Sequence, residues 1–132
     1  MSAQVFVMVR TSNHATTGTQ LARHDGLTVA EHLADEVTAW NRAHARGRPL
    51  GSAAAVVGAR SPESAELYRR LPTSLVEVPG LGRGDRDTAE VTGAAAGLAG
   101  RALFTVTTGV LRHGPDAGGL RTALRGWSSA LL

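Results

Sequence analysis

The sequence predicts an α/β fold with a parallel sheet, and three observations carry that prediction. An apolar strand-like run followed by a helix-like run recurs four times along the 132 residues. The strand-like runs are nearly continuous in apolar and β-branched residues, as expected of strands covered on both faces, rather than strictly alternating. Glycine, proline and short polar stretches separate the runs, so each unit leads directly into the next. The length suits one domain over residues 1–132, and no composition shift marks a linker within it.

The elements follow in order. Gln4 to Val9, Gln-Val-Phe-Val-Met-Val, reads as the first strand, and a polar loop containing Gly18 follows it. Thr28 stands three residues before Glu31, the spacing of a capping box, and Val29, Leu33, Val37 and Trp40 recur at helical intervals to about His44. Ala53 to Val57 is a second short strand. Ser61-Pro62-Glu63 then supplies an N-cap, a first-turn proline and an early acid for a helix to about Leu71. Ser74 to Val78 makes the third strand, and Gly80 to Asp87 a glycine-rich turn. Asp87 and Glu90 open a weak helix to about Ala99, rich in alanine and glycine. Arg101 to Val106 makes the fourth strand. Beyond Gly114-Pro115, Asp116 caps a last helix with Leu120, Leu124 and Trp127 on one face.

Four βα units with short right-handed crossovers give a four-stranded parallel sheet with its helices on one side, half of a (β/α)8 TIM barrel, if the strand order is sequential. Periodicity does not reveal strand order, so an open doubly wound sheet is the alternative. A half-barrel leaves an apolar inner face and two open edges in water. A homodimer, a separate chain carrying four further units, or rearrangement into a flatter sheet would each cover them.

Composition narrows the function classes. The chain has no lysine, so its 14 cationic residues are all arginine; against 11 acids they leave a net charge of +3. Five dispersed aromatics (Phe6, Trp40, Tyr68, Phe104, Trp127) do not interleave with arginine as a single-strand stacking surface requires, which argues against nucleic-acid binding. With no cysteine there is no disulfide framework and no thiolate metal site. No apolar run reaches membrane-spanning length and the amino terminus lacks a signal-peptide pattern, so the expected setting is cytoplasmic. His32 and Glu36 lie four apart, with His14 and His24 in the preceding loop, but no His-Glu-x-x-His pattern or fixed third ligand supports a metal site, and neither metal nor cofactor is expected. His24-Asp25 with a distant serine likewise lacks a Gly-x-Ser-x-Gly elbow.

Several motifs, in order and over nearly the whole chain, carry a resemblance. They are Arg10-Thr11-Ser12-Asn13 after the first strand, Val29-Ala30 through Trp40-Asn41 on the long helix, and Val56-Val57-Gly58-Ala59 after the second strand. Pro79-Gly80-Leu81-Gly82 after the third strand and Gly109-Val110-Leu111 to Gly114-Pro115-Asp116 after the fourth complete the set. From Val5 to about Arg125 the chain resembles the carboxy-terminal half of orotidine 5′-phosphate decarboxylases, in the bacterial subfamily that includes the actinobacterial enzymes. The resemblance implies that Ser12, flanked by Thr11 and Asn13, hydrogen-bonds a pyrimidine ring. It implies also that Gly80, Gly82, Arg83 and Gly84 grip a phosphate, with Thr107 and Thr108 offering hydroxyls, so that the expected ligand is a pyrimidine nucleoside monophosphate. Strand ends and glycine-rich turns suit such roles independently, although Thr11 to Asn13 can equally be a plain turn.

The chain departs from that family in three places. The family has Gly-Ala-Gln-Gly where this chain reads Gly82-Arg83-Gly84, one residue shorter and without the glutamine. It has serines and then a phosphate-pairing arginine where this chain has Thr105, Val106, Thr107 and Thr108. Its Asp-Lys-Asp array belongs to the amino-terminal half, and arginine cannot take over the lysine's proton transfer near neutral pH. No catalytic residue is therefore assigned. Three expectations remain: a truncated or degenerate family member inactive alone, a subunit of a split enzyme completed by an amino-terminal-half chain, or a dimerisation or regulatory module that keeps only the fold.

Overall fold

In the computed structural model, which describes residues 4–13, 17–82, 88–98 and 100–131, one parallel sheet is formed by Val5–Arg10 (β1), Ala53–Val57 (β4), Val76–Pro79 (β5) and Ala102–Thr105 (β6). A short helix Thr17–Gln20 (α1), an antiparallel pair Arg23–His24 (β2) and Leu27–Thr28 (β3), and the long helix Val29–His44 (α2) lie between β1 and β4. Ser64–Arg70 (α3) follows β4, and Thr88–Ala94 (α4) with a 3-10 turn at Ala96–Leu98 follows β5. Thr108–Leu111 (α5) and Ala117–Leu131 (α6) follow β6. The sheet order is β1-β4-β5-β6 and every pairing is parallel. Sequential order settles the topology in favour of the half-barrel over the doubly wound sheet.

Helices cover one face only. Val9, Ala53, Ala55, Val57, Val76 and Val78 project from the strands into a core completed by Ala30, Ala34 and Val37 of α2, Leu67 and Tyr68 of α3, and Val91 of α4. Trp127 and Leu131 of α6 pack against its margin. The opposite strand faces point away from the helices. The register places Met8, Val56, Glu77 and Leu103 in one row across this inner face, and Phe6, Met8 and Leu103 all remain exposed on it.

Local chemistry explains the best-defined elements. The hydroxyl of Thr28 accepts from the Glu31 N–H at 3.1 Å, and the Glu31 carboxylate accepts from the Thr28 N–H at 2.7 Å, closing the expected capping box of α2. β4 is buried at all five positions, as its run of Ala and Val requires of a central strand. A register irregularity between Met8 and Arg10 re-aims the end of β1, so that Val9 is fully buried and Arg10 sits opposite Val57.

A buried polar knot fastens the amino ends of the strands. The Asn41 amide donates to the Ala53 carbonyl at 2.8 Å and to Ser74 Oγ at 2.9 Å, and its oxygen accepts from the Ala53 N–H at 2.9 Å. Arg101 Nη1 donates to the carbonyls of Leu71 and Ser74 at 2.7 and 2.9 Å. The third strand accordingly begins at Val76 rather than Ser74, because Ser74 belongs to this knot.

Other boundaries differ for identifiable reasons. The helix expected from a Ser61 cap begins at Ser64, with Glu63 at the cap position and no side-chain cap bond. Ser61 Oγ is instead committed to the Thr11 carbonyl at 3.2 Å, which binds two loops together. The expected start of α4 at Asp87 lies outside the described residues, and its end breaks into the 3-10 turn near Gly97, in keeping with glycine's cost in a helix. On α6, Asp116 caps as expected by accepting from the Gly118 and Gly119 N–H groups at 2.7 and 2.9 Å. Of the three residues expected on one face, Leu124 is exposed, and the half-buried positions of the helix are Gly119, Leu120, Ala123, Trp127 and Leu131. Helix α1, which lies in the stretch expected to be a polar loop, the pair β2–β3 and helix α5 have no counterpart among the expected elements.

Candidate functional site

The carboxyl ends of β1, β4, β5 and β6 converge, and the loops that leave them are laced together before any ligand is considered. The Gly58 N–H donates to the Arg10 carbonyl at 2.7 Å, and the Ala59 N–H donates to the Pro79 carbonyl at 2.9 Å. Ser64 Oγ donates to the Gly58 carbonyl at 2.9 Å. Buried Arg10 reaches Gln20 Oε1 at 2.9 Å and lies 3.7 Å from the Glu63 carboxylate, tying the loop after β1 to the start of α3. Such cross-linking holds backbone in place where loops would otherwise be mobile.

A cavity of about 180 Å3 opens at this end, lined by Ser12, Pro79, Gly80, Leu81, Thr105, Thr107 and Thr108. Its donors are hydroxyls and backbone amides, and among the described lining residues none carries a charge. Gly58 sets the position of Ser12, because a Cβ there would lie 2.5 Å from the Ser12 nitrogen. Gly80, at φ +103°, brings its backbone beside the Ser12 hydroxyl, and a Cβ on it would meet that oxygen at 3.4 Å. Arg60, on the loop after β4, passes its stem near the same glycine, with Cγ 3.8 Å from where that Cβ would be. Deeper in the sheet the Thr105 hydroxyl donates to the Glu77 carboxylate at 3.4 Å.

The expected site residues divide accordingly. Ser12, Gly80, Thr107 and Thr108 meet around the cavity. Thr11 turns away, since its N–H and hydroxyl both donate to Gln20 Oε1, at 3.1 and 3.3 Å. Asn13 is exposed at the loop start. Gly82 lies against Gly109 and Trp127, where a Cβ would come within 2.8 Å of each, so its lack of a side chain serves packing. Arg83 and Gly84 lie outside the described residues. Thr105, Pro79 and Leu81 join the lining; Pro79 and Leu81 stood within a motif of the resemblance and Thr105 within a segment aligned with it, but none was singled out as a binding residue.

The remaining candidates sit elsewhere. His32 Nε2 is 2.9 Å from the His24 carbonyl oxygen, whereas Glu36 faces a groove beside β1. His14 lies outside the described residues. Among the described residues no three His, Asp or Glu side chains cluster as metal ligands, and no helix is long and apolar enough to cross a membrane.

No protein-family model matches the chain. Curated relatives do. Over 125 residues it is 38% identical to the orotidine 5′-phosphate decarboxylase of Myxococcus xanthus, covering 92% of this chain and 43% of that protein. Over 120 residues it is 36% identical to that of Salinispora tropica, covering 90% of this chain and 42% of the relative. Among solved structures, an orotidine 5′-phosphate decarboxylase homologue from Streptomyces avermitilis superposes with a TM-score of 0.79 at 32% identity, over 98% of this chain and 44% of the other. The Leishmania donovani OMP decarboxylase superposes at 0.72 and 25% identity, over 96% and 46%. The chain thus spans less than half the length of the curated relatives named here. In sequence and in fold the chain is similar to orotidine 5′-phosphate decarboxylases over less than half of their length.

Proposed function

We propose that this chain is a half-barrel derivative of the orotidine 5′-phosphate decarboxylases that does not decarboxylate by itself and keeps a weak site for a pyrimidine nucleoside monophosphate. The observation that carries the reading is the convergence of Ser12, Gly80, Thr107 and Thr108 on one cavity at the carboxyl ends of the strands. Parallel barrels bind their ligands at that end. Ser12 would meet the ring and the threonine hydroxyls with the Gly80 amide would meet the phosphate, with Arg60 supplying charge at the rim. The absence of lysine from all 132 residues supports catalytic silence, since the remaining cations are arginines that do not release a proton near neutral pH.

Size supports weak binding. At about 180 Å3 the cavity is smaller than the roughly 300–1,000 Å3 of a typical small-molecule site, so it encloses one end of a nucleotide. The lack of cysteine and of any membrane-crossing helix among the described residues fits a cytoplasmic setting.

Thermal unfolding with uridine 5′-monophosphate, its barbiturate analogue and uridine tests the reading. A ligand at about 100 times its Kd stabilises the folded state by about 2.7 kcal/mol, a rise of several degrees for a domain of this size. The expected result is a rise with the nucleotides that uridine does not reproduce at the same concentration. No rise at millimolar nucleotide would refute retained binding and leave a fold without its relatives' ligand.

A further inference from the structure

The loop after β1 divides its polar groups between protein and cavity. Thr11 commits its own to neighbours: its N–H and hydroxyl donate to Gln20 Oε1 at 3.1 and 3.3 Å, and its carbonyl accepts from Ser61 Oγ at 3.2 Å. Ser12, the next residue, lines the cavity, and its hydroxyl makes no hydrogen bond among the described residues. An uncommitted hydroxyl on backbone pinned at the preceding residue is a preorganised ligand contact, because the loop is ordered before the ligand arrives.

One oxygen accounts for most of the pinning. Gln20 Oε1 also accepts from Arg10 Nη1 at 2.9 Å, so three donors from two consecutive residues meet on it. Arg10 is 4% exposed and its carbonyl accepts from the Gly58 N–H at 2.7 Å, which fixes the first of those residues to the neighbouring strand's loop. Gln20 itself ends α1 and does not line the cavity. Any influence it has on Ser12 therefore passes through Thr11.

We infer that Gln20 is a positioning residue of the candidate site: by gathering Arg10 and Thr11 on one oxygen, it holds the Ser12 hydroxyl toward the cavity, where a heterocyclic ring is read. This role presupposes the proposed nucleotide site for its ligand, though not for its geometry. In that site Ser12 meets the ring while Gly80, Thr107 and Thr108 meet the phosphate. Gln20 accordingly helps to tell a pyrimidine nucleotide from a bare sugar phosphate, without touching either.

The test compares wild type with Gln20→Leu, which removes the acceptor, and Gln20→Glu, which keeps an oxygen for the same three donors. Gln20 is half-buried at the end of a four-residue helix, so both variants fold, as circular dichroism will verify. Titration calorimetry gives the ratio of the affinities for uridine 5′-monophosphate and ribose 5-phosphate, which has the phosphate but lacks the ring. The expected ratio is about tenfold lower in Gln20→Leu, the worth of about one hydrogen bond, with ribose 5-phosphate affinity unchanged and the wild-type ratio kept in Gln20→Glu. An unchanged ratio, or one lost equally in Gln20→Glu, would overturn the inference. So would both affinities falling together, since Gln20 would then only support the fold.

Backbone relaxation of the ligand-free proteins separates this role from nucleotide binding. The Ser12 amide is expected to have an order parameter of about 0.85 in wild type and Gln20→Glu, and below about 0.6 in Gln20→Leu. If wild type binds no nucleotide but Ser12 loosens in Gln20→Leu, the proposed function fails and the positioning stands. If Ser12 stays rigid in Gln20→Leu, the positioning fails whatever the chain binds.

Discussion

Asn41 is fully buried on α2 and makes three hydrogen bonds, two to Ala53 and one to Ser74. Removing its amide strands a buried N–H, a carbonyl and a hydroxyl together, so Asn41→Ala is expected to cost about 3 kcal/mol, read as a lower urea midpoint at unchanged m-value. At the opposite end of the sheet, Gly58→Ala drives a methyl into the Ser12 backbone, where 2.5 Å is available. The proposed site predicts that this variant, still folded by circular dichroism, loses the nucleotide-dependent rise in Tm; a rise of wild-type size would remove Ser12 from the binding machinery. Both residues stood in motifs visible in the sequence, Trp40-Asn41 and Gly58-Ala59, but their roles did not. Asn41 acts on residues 12 and 33 positions away, and Gly58 acts on Ser12, and no local spacing encodes such contacts.

Among the elements, α2 and β4 were legible nearly to the residue, since a capping box and an unbroken apolar run are each local signals. The pair β2–β3 and helices α1 and α5 were not, because two-residue strands and four-residue helices carry no period to detect. Helix α6 was legible as a helix, yet its face was misjudged at Leu124. The cap of α2 also carries a pH dependence. The Thr28 N–H, then its hydroxyl and to a lesser degree the Arg70 guanidinium hold the Glu31 carboxyl below its ordinary value. A depressed carboxyl pKa contributes stability that is present above the unfolded-state value and is lost as pH falls through the folded-state value. Glu31→Gln is therefore expected to be less stable than wild type at neutral pH, with the gap narrowing as denaturation curves are taken down through the acid range. A gap that stays constant with pH would show that the carboxylate charge contributes nothing.

For the whole molecule, the asymmetry between the two sheet faces makes a direct prediction. Leu71 is fully buried on the helix side, and Leu71→Ala should cost about 2–5 kcal/mol. Phe6 on the inner face is 42% exposed, and Phe6→Ser should change stability by about 0.5 kcal/mol or less. Comparable losses in the two variants would mean that the inner face is packed within one chain. The half-barrel itself was legible as a count of βα units, and only the strand order awaited the structure.

The knot of Asn41, Ser74 and Arg101 lies at one end of the strands, and Ser12 with the threonines lies at the other. Hydrogen bonds at the first end do not depend on what occupies the second. Heritable change can therefore accumulate around the mouth while folding is held from below. A lineage that ceased to need the chemistry would still inherit the scaffold.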